Sequence, residues 1–206
     1  MMKVLSYLAF LLVFMSCQSQ TKELSLNAKP SKAIAVFASG CFWCTEHVFE
    51  AVYGVDEAVS GYTGGTIKNP TYHQVGTNQT GHAEAVAVFY DPKKVSFTQL
   101  VDAFFASQDP TTPNQQGPDV GSSYRSIAFY GNLGEKKIIE DKIKALTLAK
   151  VFNNPIVTEV KPISAFYEAE AYHQDYVKNN PNQGYVKGVS IPRFNKFVKT
   201  YKGKLK

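Results

Sequence analysis

The sequence predicts an α+β fold. A single domain is expected, with helices packed on a mixed sheet in a ferredoxin-like two-layer core and with long active-site loops. Two observations carry this. From residue 33 onward, short apolar runs of strand length alternate with segments of helical periodicity. Three long polar segments, 61–81, 108–124 and 179–192, interrupt them, each rich in Gly or Pro. Loops of that length in a compact domain are usually functional or disordered. Here they also carry Tyr, Asp or His, which favours ordered loops around a site. A length of 206 residues suits one well-buried domain, at roughly 100–200 residues per domain.

Residues 1–17 read as a lipoprotein-type signal peptide and lipobox. Met1-Met2-Lys3 is a short basic start, and 4–15 is an apolar run. That run is too short for a comfortable membrane-spanning helix of about 20 residues. Ser16 then precedes Cys17, so Cys17 is the expected lipidation site. The expected location is that of an exported, membrane-anchored bacterial lipoprotein facing the periplasm or cell envelope. The polar stretch 18–32 reads as a flexible tether, and 33–206 as the domain.

Within the domain, 33–38 is an apolar strand broken by Ser39-Gly40. A helical pattern follows from Cys44, with Val48, Phe49 and Val52 on one face. Residues 83–90 read as a strand closed by Asp91-Pro92. Ser96-Phe97-Thr98-Gln99 is a capping box that opens a helix through Ala106. A strand over 126–130, a helix over 134–151, a strand over 156–160 and a helix over 168–177 complete the body. The lysines at 196, 199, 202, 204 and 206 read as a solvated end. A net charge of +5, with no basic stripe interleaved with aromatics, gives no reason to expect a nucleic-acid partner.

Gly40-Cys41-Phe42-Trp43-Cys44 holds the chemistry. Cys41 falls where a strand hands over to a helix N-terminus, whose unpaired N–H groups and dipole favour a thiolate. The expectation is a Cys41 pKa lowered from about 8.5. Cys44, one helical turn on, can reach the same sulfur. With Cys17 lipidated, these two remain as a pair, too local to staple a domain of this size. His47, His73, His82 and His173 are too scattered to complete a zinc site, so no metal is expected. Glu84 lies in the predicted strand 83–90, and an apolar face shared with Ala85, Ala87 and Phe89 is expected to keep its carboxyl protonated.

Six further motifs occur in order with that segment. They are Pro70-Thr71-Tyr72, Gly81-His82-Ala83-Glu84, Tyr90-Asp91-Pro92, Asp109-Pro110-Thr111, the run from Gln116 to Ser126, and Tyr172-His173-Gln174-Asp175-Tyr176. Together they resemble the A-type peptide methionine sulfoxide reductases over roughly residues 33–185.

The resemblance implies reduction of the S epimer of methionine sulfoxide, free or in proteins, as a repair of oxidised proteins. It assigns Cys41 as nucleophile and Glu84 as proton donor. Tyr72 and Tyr124 match the phenols that bind the sulfoxide oxygen. Phe42 and Trp43 match the pocket for the methyl group, and Asp119 a polar position lining the site. His173 and Asp175 fall in a matching motif, where structural hydrogen bonding is at least as good a role. Many family members recycle through cysteines near the C-terminus, but no cysteine follows Cys44 here. Cys44 is therefore expected to resolve the Cys41 sulfenic acid as a disulfide, which a thioredoxin-like reductant then opens; an external thiol is the alternative. No cofactor is required, and a monomer is expected. The rivals are a general thiol–disulfide oxidoreductase, against which Trp43 stands between the cysteines rather than before them, and a non-enzymatic peptide-binding lipoprotein.

Overall fold

A computed structural model describes residues 21–206. The expected signal peptide and Cys17 lie outside the described residues. In chain order the elements are β1 (Lys22–Glu23), β2 (Ala33–Ser39), α1 (Phe42–Glu50), β3 (Val55–Thr63), α2 (Tyr72–Gly76) and β4 (Ala83–Tyr90). There follow α3 (Phe97–Ala106), a small hairpin of β5 (Gln115–Gln116) and β6 (Asp119–Val120), β7 (Ser126–Tyr130) and α4 (Leu133–Leu148). The chain ends with β8 (Glu159–Pro162), β9 (Phe166–Glu168), α5 (Tyr176–Asn179) and α6 (Ile191–Thr200).

Seven strands form one sheet in the order β1-β9-β3-β4-β2-β7-β8. Its centre, β3-β4-β2-β7, is antiparallel throughout, and β8 adds a parallel partner to β7. Each of the two crossovers, β2-α1-β3 and β4-α3-β7, skips one strand. That interleaving is the expected ferredoxin-like core, extended at both edges. Alternation divides the core strands cleanly. Ala35, Phe37, Val86 and Val88 face the helices, while Val36, Ala38, Ala85 and Ala87 face the opposite side with Phe166. Phe37 anchors the helical layer, its ring 5.1 Å from both Phe49 of α1 and Phe104 of α3. Each aromatic buried so fully contributes roughly 1.5–3 kcal/mol over its exposed state.

Several expectations change. The sequence pattern does not predict the central strand β3, and the expected loop 61–81 begins inside it at Gly61. In the sheet, Gly61 is required because Phe166 and the Tyr167 carbonyl of β9 occupy the space of its missing Cβ. The predicted helix 168–177 is instead the end of β9, a 3₁₀ turn over Ala171–His173 and the start of α5. Here tertiary bonding overrides helix propensity: the Gln174 amide accepts from Ser60 N–H and donates to the carbonyls of Ser60 and Ala169. The strand expected at 156–160 lies at Glu159–Pro162, and α4 ends three residues short of the expected 151.

Both ends of the domain are more ordered than composition suggests. Within the stretch read as tether, Lys22 and Glu23 pair with Glu168 and Tyr167, and Thr21 is buried. The lysines of the basic tail are exposed, as expected of a solvated end, while its backbone is tied to the domain. Tyr53 N–H donates to Lys204 O, and Lys206 N–H donates to Ala51 O just past the C-terminus of α1.

Candidate active site

Gly40 positions everything that follows. Its φ is +84°, and a Cβ there would collide with the Gln116 side chain, so the strand-to-helix turn accepts only glycine. The turn delivers Cys41 as the N-cap of α1. Phe42, the first helical residue, donates its N–H to Glu84 Oε2 at 3.0 Å. That bond satisfies one of the unpaired donors of the helix start and fixes the carboxyl one residue from Cys41.

Glu84 stands on the helical face of β4 with Val86, Val88 and Tyr90. The expected company of Ala85, Ala87 and Phe89 is wrong, because period two places those odd-numbered residues on the other face. The consequence survives the correction. Glu84 is 3% exposed, and burial raises its pKa to about 8, helped by the charges of Asp119 and Cys44. The bond from Phe42 pulls the other way but loses. At neutral pH this carboxyl holds its proton.

The cysteines correct the expectation for Cys41. Both are buried free thiols. Burial pushes the Cys41 pKa well up, and its hydrogen bond to Cys44 and the charge of Glu84 add to that. Cys44 moves down instead, because the Cys41 thiol donates to it, the Arg193 guanidinium attracts it, and Ser190 Oγ lies 3.2 Å from its sulfur. The helix start does not favour a Cys41 thiolate as expected, because burial outweighs it. Burial thus works against ionising Cys41, while Arg193 and the hydrogen bonds around Cys44 favour its thiolate.

Aromatic rings wall the site. The buried Phe42 ring packs 4.9 Å from His173, 5.7 Å from Tyr62 and 6.2 Å from Tyr72. Trp43 is pinned twice: it stacks on Tyr176 at 3.7 Å, and its Nε1–H donates to His173 Nδ1 at 3.0 Å. His173 remains neutral, its pKa lowered to about 4 by burial. Glu170 joins two walls, accepting from Tyr62 O–H at 2.8 Å and from Tyr72 N–H at 2.9 Å. Tyr72 and Tyr124 are half-buried, and both feel the charges of Glu84, Cys41 and Asp119. Burial, chiefly, raises the pKa of each, so both phenols stay protonated as donors.

All eight residues expected in the site, Cys41, Cys44, Glu84, Phe42, Trp43, Tyr72, Asp119 and Tyr124, are linked by these contacts and fields. Asp175 is set apart: its N–H donates to Glu46 Oε1 at 2.8 Å, and it starts α5 at φ +53°. Sequence reasoning missed Tyr185, Ser190 and Arg193. Tyr185 O–H donates to Asp119 Oδ2 at 2.5 Å and lies 4.0 Å from Cys44 Sγ. Arg193 is braced by the Ser107 carbonyl at 2.7 Å and by Ser39 Oγ at 2.9 Å. The one available signal was a Tyr inside a long loop; nothing local marked Arg193.

The arrangement pairs a soft nucleophile with a protonated acid inside an aromatic wall. Among the described residues there is no His/Cys/Asp/Glu group able to hold a metal ion. A family model described as peptide methionine sulfoxide reductase matches residues 33–206. The chain belongs to that family. It is a peptide methionine sulfoxide reductase, an enzyme of thiol-dependent sulfoxide reduction. Among its relatives, "Peptide methionine sulfoxide reductase MsrA 1" of Rhodopirellula baltica is 45% identical over 183 residues, covering 89% of this chain and 94% of the relative. The crystal structure of reduced Mxr1 from Saccharomyces cerevisiae is similar at a TM-score of 0.69 and 32% identity, covering 79% of this chain and 91% of that one. Mxr1 in complex with Trx2 is similar at a TM-score of 0.51 and 25% identity, covering 74% and 90%.

Proposed function

We propose that the chain reduces the S epimer of methionine sulfoxide, free or in proteins, with Cys41 as nucleophile, Glu84 as acid and Cys44 as resolving thiol. The observation that carries this is the Phe42 N–H to Glu84 bond, which holds a protonated carboxyl beside the N-cap cysteine. The methyl group rests against Phe42 and Trp43, and Tyr72 and Tyr124 donate to the sulfoxide oxygen. As Cys41 attacks the sulfur, its proton passes to Cys44 and Glu84 gives its proton to the oxygen. The hydroxyl then passes from the methionine sulfur to the Cys41 sulfur as the S–S bond of the adduct breaks, releasing methionine and leaving Cys41 as a sulfenic acid. Cys44 then attacks the Cys41 sulfur, expelling water and forming the disulfide, while Glu84 is left ionised. Asp119 holds Tyr185 against this pair.

A thioredoxin-like dithiol opens the disulfide by exchange; the similarity to an Mxr1 structure that contains Trx2 supports this choice. The signal-like residues 1–17 support export and a lipid anchor at Cys17, with the domain acting as a monomer. The test is turnover of separated S and R epimers of a blocked methionine sulfoxide, with dithiothreitol as reductant. Turnover of S alone, abolished in Cys41→Ser, is the expected result. No turnover of either epimer by folded, reduced protein overturns the reading.

A further inference from the structure

Arg193, whose charge acts on Cys44, and Asp119, which accepts from the Tyr185 hydroxyl beside Cys44, also line a cleft of about 350 Å³. Gln116 lines it too, and Gln116 fills the space beside Gly40, so the cleft begins one residue from Cys41. Gln108 and the exposed Lys196 complete the part of the wall that matters here. Gln108 is 7% exposed, and among the described residues neither atom of its amide has a hydrogen-bond partner. A carboxamide brings two donors and an acceptor oxygen, and a buried one that bonds to no other protein group is uncommon.

Two other glutamines show what such an amide does in this fold. Gln116 clasps the backbone of Asp109, accepting from its N–H at 3.1 Å and donating to its carbonyl at 3.0 Å. Gln174 clasps Ser60 in the same two-bonded way. Gln108 has the same group and no peptide unit to hold. The cleft carries both signs of charge, with Asp119 against Arg193 and Lys196, which suits a neutral main chain better than a strong anion or cation.

We propose that this cleft is a subsite for the extended polypeptide flanking the oxidised methionine, with Gln108 turning its amide onto one peptide unit of that segment. The proposal rests on the reductase reading and adds where the chain flanking the sulfoxide lies and which side chain holds it. Charged side chains of the substrate next to the clasped unit meet Lys196 at the rim.

The experiment compares kcat/KM for a blocked methionine S-sulfoxide and for a nine-residue peptide carrying it at the centre, with dithiothreitol throughout. The wild-type protein is expected to favour the peptide by about tenfold, the scale of one well-made hydrogen bond. Gln108→Leu removes most of that advantage through KM, with kcat on both substrates within about twofold. Lys196→Glu, on the surface and harmless to folding, shifts preference several-fold from peptides with a flanking Asp toward those with a flanking Lys. Lys196→Glu alone decides the matter if Gln108→Leu does not fold. Equal kcat/KM for peptide and blocked amino acid in the wild type overturns the subsite, as does a peptide advantage untouched in both variants. In a parallel series with thioredoxin as reductant, a defect of the variants seen only there gives the cleft to the reductant and overturns the subsite too. If the wild type reduces neither substrate, the reductase reading itself falls.

Discussion

At the scale of single residues, the division of labour turns on where protons sit. Glu84 must be protonated to act, and burial raises its pKa to about 8. Activity therefore falls as pH rises through about 8, and a pH profile of kcat/KM should show that limb. Glu84→Gln keeps the bond from Phe42 but has no proton to give; a loss of 10²–10⁴ in kcat is expected from steady-state assays. Cys44→Ser should complete one turnover and then stall with a thioredoxin-like reductant, as read by methionine released per enzyme in rapid quench. The resolving sulfur is gone in that variant, and Cys41 is left as a sulfenic acid that a dimedone-type probe will trap. The site positions of Cys41, Phe42, Trp43 and Glu84 were legible because each sits in a short motif at an element boundary. Tyr185 and Arg193 were not. They reach the cysteines from about 140 to 150 positions downstream, through bonds to Asp119, Ser39 and Ser107 that no local pattern records.

Elements were legible where their signals are local. The strand Ala83–Tyr90, the capped helix Phe97–Ala106 and the strand Ser126–Tyr130 match the sequence reading to the residue. Val55–Thr63 escaped because Asp56, Glu57 and Gly61 interrupt its apolar run, although its place between β4 and β9 is the reason for that glycine. Ser96 caps α3 by accepting from Gln99 N–H at 3.2 Å, so Ser96→Ala should cost about 1 kcal/mol, or roughly 2–4 °C in Tm. Gly40→Ala is predicted to be worse on both counts. It strains a positive φ and drives a methyl group into Gln116, so Tm and kcat should fall together, while CD shows a folded protein.

Across the whole molecule, two buried carboxyls set how stability responds to pH. Burial raises the pKa of Glu46 to about 7 and that of Glu84 to about 8, against 4.5 for the free side chain. Groups raised in this way stabilise the fold fully below 4.5, and that contribution is lost as pH rises through 7 and 8. Urea midpoints should therefore decline from pH 5 to pH 9, and the slope should flatten in Glu46→Gln. The same whole-molecule view changes the meaning of the first ordered residues. Thr21 is buried and donates to Pro70 O, two positions before Tyr72, and Lys22 and Glu23 are stitched to the sheet edge. With Cys17 as the proposed anchor, only residues 18–20 separate lipid from domain, so the four steps from Cys17 to Thr21 reach at most about 13–14 Å at 3.3–3.6 Å per residue. On so short a leash an enzyme anchored as proposed would not sweep the compartment. It would patrol a thin shell at the bilayer surface, and the proteins it could repair would be those whose oxidised methionines come within that shell.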